Sequence, residues 1–143
     1  MPDRARVEAF IDDYRRTFSS FDVPAIGALF AFPVQVTSEA DGVTVTSVAT
    51  LEEWLPLIDR IVRAYQLIGV AEAAPLSVQT VRVTPRILHA VVHWALGQAD
   101  GSPVYEFTAS YTLVTTGDGM RIVALAHDET PRLLAAVARA RTA

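Results

Sequence analysis

The residues of this chain whose types could do chemistry are four tyrosines, three histidines and a short acidic stretch near its end. Tyr14, Tyr65, Tyr105 and Tyr111 could set hydroxyls along an apolar wall, a surface that suits an amphipathic small molecule. The same rings could instead pack a core with each hydroxyl at its rim. His89 and His93 stand four apart, the spacing of a metal pair on a helix. They fall in an alternating, strand-like run, where that spacing separates them by about 13 Å, too far for one ion. With three His and no Cys, neither a protein-built metal site nor thiolate chemistry is expected. Gly117-Asp118-Gly119 is not followed by a helix and reads as a hairpin turn, not a phosphate loop. No Gly-x-Ser-x-Gly elbow occurs, and no cofactor is implied.

The elements that would position these groups follow from periodicity and turn chemistry. From about Asp3 to Phe21, the residues Val7, Phe10, Ile11, Tyr14 and Phe18 form one apolar stripe at helical spacing. Asp22 can cap a short second helix with Pro24 in its first turn. Phe32 to Thr37 reads as a strand that Asp41-Gly42 turns into Val43 to Ser47. Thr50-Leu51-Glu52-Glu53 is a capping box for a third helix that buries Trp54, Leu55, Ile58, Ile61, Val62 and Tyr65. Pro56 should bend its first turns, and Gly69 stands at its C′ position. Leu76 to Thr84, Arg86 to Gln98, Val104 to Thr116 and Met120 to Asp128 alternate as four strands. Asp100-Gly101 and Gly117-Asp118-Gly119 join the last three. Thr130-Pro131 starts a final amphipathic helix.

Strand parity assigns faces. Leu88, Ala90, Val92, Trp94 and Leu96 point to the core, and Ile87, His89, Val91 and His93 point away. Tyr105, Phe107, Ala109, Tyr111 and Leu113 face inward in the next strand. The last strand is apolar on both faces. An outer face this apolar predicts a homodimer through the sheet, unless the final helix covers it.

Composition narrows the class. A chain of 143 residues, 51% hydrophobic and 20% charged, fits one globular domain over residues 1–143. A net charge of −4 argues against nucleic acid as a partner. The chain shows no apolar leader and no run of the roughly 20 apolar residues that cross a bilayer. A cytoplasmic protein with no membrane partner is expected.

The order helix–helix–strand–strand–helix–four strands, with Tyr111-Thr112-Leu113 followed by Gly119-Met120-Arg121-Ile122, resembles the nuclear transport factor 2-like superfamily. Within it the chain looks like the SnoaL-like and ketosteroid-isomerase-like group. The resemblance implies an α+β cone: a curved antiparallel or mixed sheet, N-terminal helices on its concave face, and a C-terminal helix. It also implies a pocket for a small apolar molecule, with Tyr14, Phe18, Trp54, Tyr65, Trp94, Tyr105 and Tyr111 as its expected wall. Members include isomerases, cyclases, dehydratases and non-catalytic modules, and fold alone does not choose among them. The isomerase-like members place an oxyanion-binding Tyr where Tyr14 stands. Their base on the first strand has no counterpart, because Phe30 to Thr37 contains no Asp or Glu. SnoaL-like cyclases carry an acid/base near the end of the last strand, where this chain has His127, Asp128 and Glu129. Parity with Ile122, Ala124 and Ala126 points Asp128 inward, so Asp128 or His127 is the expected proton carrier. Asp128 could instead be a solvated strand-end residue that helps start the last helix.

Overall fold

The computed structural model describes residues 2–143. Helix α1 spans Asp3–Ser19 and buries Val7, Phe10 and Ile11. Its wet side is laced by i,i+3 and i,i+4 ion pairs such as Arg4–Glu8 and Arg16–Asp12. Asp22 caps α2 (Val23–Gly27) by accepting from the Ala25 N–H. Strands β1 (Phe30–Glu39) and β2 (Val43–Val48) form a hairpin through Gly42, whose φ of 109° few other residues tolerate. Helix α3 (Leu51–Ile68) starts with Thr50 Oγ1 accepting from the Glu53 N–H and ends at Gly69 in the left-handed region.

The second half supplies β3 (Glu72–Thr84), β4 (Ile87–Gly97), β5 (Pro103–Thr116), β6 (Gly119–His127) and α4 (Glu129–Thr142). The six strands lie in the order β2-β1-β6-β5-β4-β3. Only β1 with β6 runs parallel, because α3 and the β3–β5 meander separate them in sequence. The fold is therefore α+β with an open, mixed sheet. Buried side chains of α1 and α3 meet the inward residues of β4 and β5 in one core. Leu88, Ala90, Val92, Trp94 and Leu96 all point into it, as alternation requires. Each fully buried aliphatic chain contributes roughly 1.5–3 kcal/mol. Among the described residues, no helix is long and apolar enough to cross a membrane.

Strand β6 departs from simple alternation. Leu113 pairs with Ile122, yet Thr112 pairs with Ala124, so Val123 is an extra residue in the ladder. This β-bulge inverts the parity of everything after it. Ile122 faces the core before the bulge, and beyond it Leu125 sits opposite Tyr111 and His127 opposite Ala109 on the inner face. The expected inward direction of Asp128 is thereby corrected. The start of the last helix is corrected too: α4 begins at Glu129, with Asp128 preceding it and making no side-chain cap. The Asp128 carboxylate is engaged elsewhere, since it accepts from the Thr108 N–H at 2.8 Å. Helix α4 packs against α3, β5 and β1, and it leaves Val81, Ile87 and Val91 exposed on β3 and β4.

Candidate functional site

Between α1, α3 and the inner face of the sheet lies a cavity of about 100 Å³. One water needs roughly 10–15 Å³ of such space, so the cavity has room for a small molecule. Its wall is a row of aromatic rings contributed by separate elements. Trp54 of α3 meets Phe30 of β1 at a centroid distance of 5.1 Å, and Phe30 meets Tyr14 of α1 at 6.3 Å. Tyr14 meets Phe18 one turn along α1 at 5.6 Å, and Phe18 meets Tyr65 of α3 at 5.6 Å. These edge-on and tilted contacts suit the ring quadrupoles. Phe21 joins the wall from the turn after α1, at a φ of 58° that is uncommon for a bulky residue.

Two polar networks interrupt this apolar lining. In the first, the Trp94 indole N–H donates to the Tyr111 hydroxyl at 2.9 Å, and the Tyr111 ring meets the Tyr14 ring edge-on at a centroid distance of 5.7 Å. Burial pushes both phenols well above their ordinary range, so both stay neutral and able to donate.

The second network centres on Glu129, at the first position of α4. The residue is 9% exposed, and it is the one buried acidic or basic side chain among the described residues. The Tyr65 hydroxyl donates to Oε2, and the Tyr105 hydroxyl donates to the same oxygen at 2.7 Å. Among the described residues none donates to Oε1. Burial raises the Glu129 pKa, and the two phenol donors oppose that rise without cancelling it. Beside it, His127 Nδ1 accepts from the Glu129 N–H at 3.1 Å, which leaves the proton of a neutral imidazole on Nε2. Burial lowers the His127 pKa, so the neutral form is favoured. The site therefore holds a carboxylate that burial makes a stronger base than an ordinary glutamate, next to neutral donors in dry surroundings.

The structure brings together most of the residues named from sequence. Tyr14, Phe18, Trp54, Tyr65, Trp94, Tyr111 and His127 line the cavity, and Tyr105 reaches its wall through the hydroxyl on Glu129. Asp128 lies outside, half-exposed and bridged to β5, with Arg132 3.6 Å from its other oxygen. Glu129, unchosen from sequence, is the carboxylate inside. Its signal was the last strand's apolar character on both faces, which strict alternation does not produce. Among the described residues, no three His, Cys, Asp or Glu stand close enough to hold a metal ion.

A protein family described as NTF2-like protein (DUF6841) matches residues 3–130. No curated protein matches the chain. An NTF2-like protein with a cystatin-like fold from Novosphingobium aromaticivorans is similar, at 19% identity and a TM-score of 0.65, over 88% of this chain and 80% of that one. An NTF2-like protein of unknown function from Shewanella oneidensis aligns at 10% identity and a TM-score of 0.69, over 89% and 99% of the two chains. A protein described as a candidate dehydratase of the NTF2-like family, from Streptomyces avermitilis, aligns at 15% identity and a TM-score of 0.63, over 87% and 93%. At these identities the likeness shows a shared fold.

Proposed function

This chain belongs to the NTF2-like protein (DUF6841) family, and from that premise we propose that its cavity binds a small, largely apolar molecule and exchanges a proton with it. One observation carries the reading: a buried carboxylate of raised pKa stands in the wall of an aromatic cavity. Structural carboxylates are seldom buried without a cation. In this role Glu129 takes or gives the proton, and the His127 imidazole and the Tyr14 and Tyr111 hydroxyls steady the charge that develops on the ligand. The matching reaction class is isomerisation, cyclisation or dehydration, with no cofactor required. The small cavity volume favours a second reading, a binding module in which Tyr65 and Tyr105 simply satisfy Glu129.

The same reading includes a homodimer through the outer sheet face, where Val81, Ile87 and Val91 stand exposed on adjoining strands. Light scattering at micromolar concentration should give twice the chain mass, and a monomer there removes this part.

Calorimetry tests the proton exchange. The probe is 4-hydroxybenzylideneacetone, a flat phenol with a ketone at its far end, titrated in buffers of different ionisation enthalpy. Binding by the natural protein should exchange protons with the buffer, and Glu129→Gln should bind without that exchange. Absence of binding, or equal proton exchange in both proteins, refutes the proposal.

A further inference from the structure

Every indole N–H is an obligatory donor, and burying one without an acceptor is costly. Two tryptophans line the cavity, and the fold treats them differently. Trp94 has its N–H matched by the Tyr111 hydroxyl. Trp54 is 6% exposed, and its Nε1–H has no partner among the described residues. The other unpartnered buried group, the Thr80 hydroxyl, does not line the cavity. Trp54 is thus an unspent donor on a residue of the cavity wall.

Its position along the cavity adds direction. Trp54 and Tyr65 lie eleven residues apart on α3, about 16 Å along the helix axis between their Cα atoms. Tyr65 carries Glu129, so the unspent donor and the buried carboxylate occupy opposite ends of the aromatic row. The lining also constrains charge. Its one arginine, Arg15, is paired with Asp12 at 2.6 Å, and an anionic ligand would meet Glu129 with like charge.

We infer that Trp54 is a hydrogen-bond donor subsite, and that the ligand is an elongated, flat, uncharged molecule. It carries a carbonyl oxygen at the Trp54 end and a hydroxyl at the Glu129 end. The rings between the two ends select flatness, and the two polar termini fix the ligand's direction. The inference rests on the cavity being a ligand site, as proposed above, and adds to it the ligand's polarity and orientation.

A matched pair of probes separates the two claims. One is 4-hydroxybenzylideneacetone, and the other is 4-(but-1-enyl)phenol, the same skeleton with CH₂ in place of the carbonyl. The natural protein should bind the ketone about tenfold more tightly, the return for satisfying one buried donor. Trp54→Phe keeps an aromatic ring and should abolish that preference, so that it binds the two probes equally. In ¹⁵N-labelled natural protein, the Trp54 indole N–H resonance should move downfield with the ketone alone. The Trp94 resonance, whose donor is already used, should not. This spectroscopic readout decides the matter even if the variant fails to fold. Equal affinity for the two probes, or a ketone preference that survives in Trp54→Phe, overturns the donor subsite and leaves the ligand reading standing. Failure of both probes to bind, with the Trp54 resonance static, overturns both.

Discussion

Replacing Tyr65 by Phe removes one of the two hydroxyls that donate to Glu129 Oε2 and keeps the ring that packs on Phe18. The cost depends on the charge of Glu129. A hydrogen bond to an ionised carboxylate contributes about 1.5–3 kcal/mol, and one to a neutral acid about 0.5–1.5 kcal/mol. Burial raises the Glu129 pKa above its ordinary 4.5. The folded state therefore holds this proton more tightly than the unfolded chain does. That contribution to stability is fully present below pH 4.5 and is lost as pH rises through the folded pKa. Without Tyr65 the folded pKa moves further up, which deepens the loss at alkaline pH. Tyr65→Phe should thus destabilise the protein by about 1 kcal/mol more at pH 8.5 than at pH 4.5. Neutralisation of His127 on folding has the opposite sign: its contribution is present above its ordinary 6.5 and is lost as pH falls through the depressed folded pKa. It is common to both proteins and cancels in the comparison. Urea unfolding of the natural protein and Tyr65→Phe across this pH range measures the difference directly. A cost that is the same at both ends, or larger in acid, would show that Tyr65 does not donate to an ionising carboxylate.

Other expectations follow from the same contacts. Glu129→Gln should flatten the alkaline part of the stability profile, because the group whose pKa burial raises is gone; circular dichroism melts at several pH values check this. Deleting Val123 closes the bulge while Ile122 keeps its place opposite Leu113 and Ala124 its place opposite Thr112, so Leu125, His127 and Glu129 should stay on the inner face. The deletion variant should fold and keep probe binding, which calorimetric titration checks; loss of binding would show that Val123 is not the extra residue. Trp94→Phe should cost about 1–3 kcal/mol, because the buried Tyr111 hydroxyl loses its donor. His93→Ala should change stability by less than about 1 kcal/mol, since its contact with Glu106 lies on the exposed sheet face. Denaturant midpoints measure both.

The legible part of this structure is the part governed by local chemistry. The Thr50–Glu53 capping box, Gly69 beyond α3, and the positive φ at Gly42, Gly101 and Gly119 are each set by a few neighbouring residues. Alternation along β4 and β5 placed Trp94 and Tyr111 on the inner face because those strands pair regularly there. The β6 bulge is different. Val123 is excluded from the ladder because Leu113 and Ile122 on one side, and Tyr111 and Leu125 on the other, all need to be inside. That is a tertiary demand, visible in sequence only as too many apolar residues in a row. A slip of one residue then exchanges Asp128 for Glu129 as the inner carboxylate. Pairing of Trp94 with Tyr111, and its absence at Trp54, likewise depends on residues far apart in the chain.

The protonation of Glu129 is where the account is most exposed. Carbon NMR of ¹³Cδ-glutamate-labelled protein, with the Glu129 signal assigned by its loss in Glu129→Gln, follows that single group through a pH titration. The midpoint should lie clearly above the 4.5 of an ordinary glutamate. A midpoint at or below that value would mean that the carboxylate is solvated or charge-paired, and not set dry in the cavity wall.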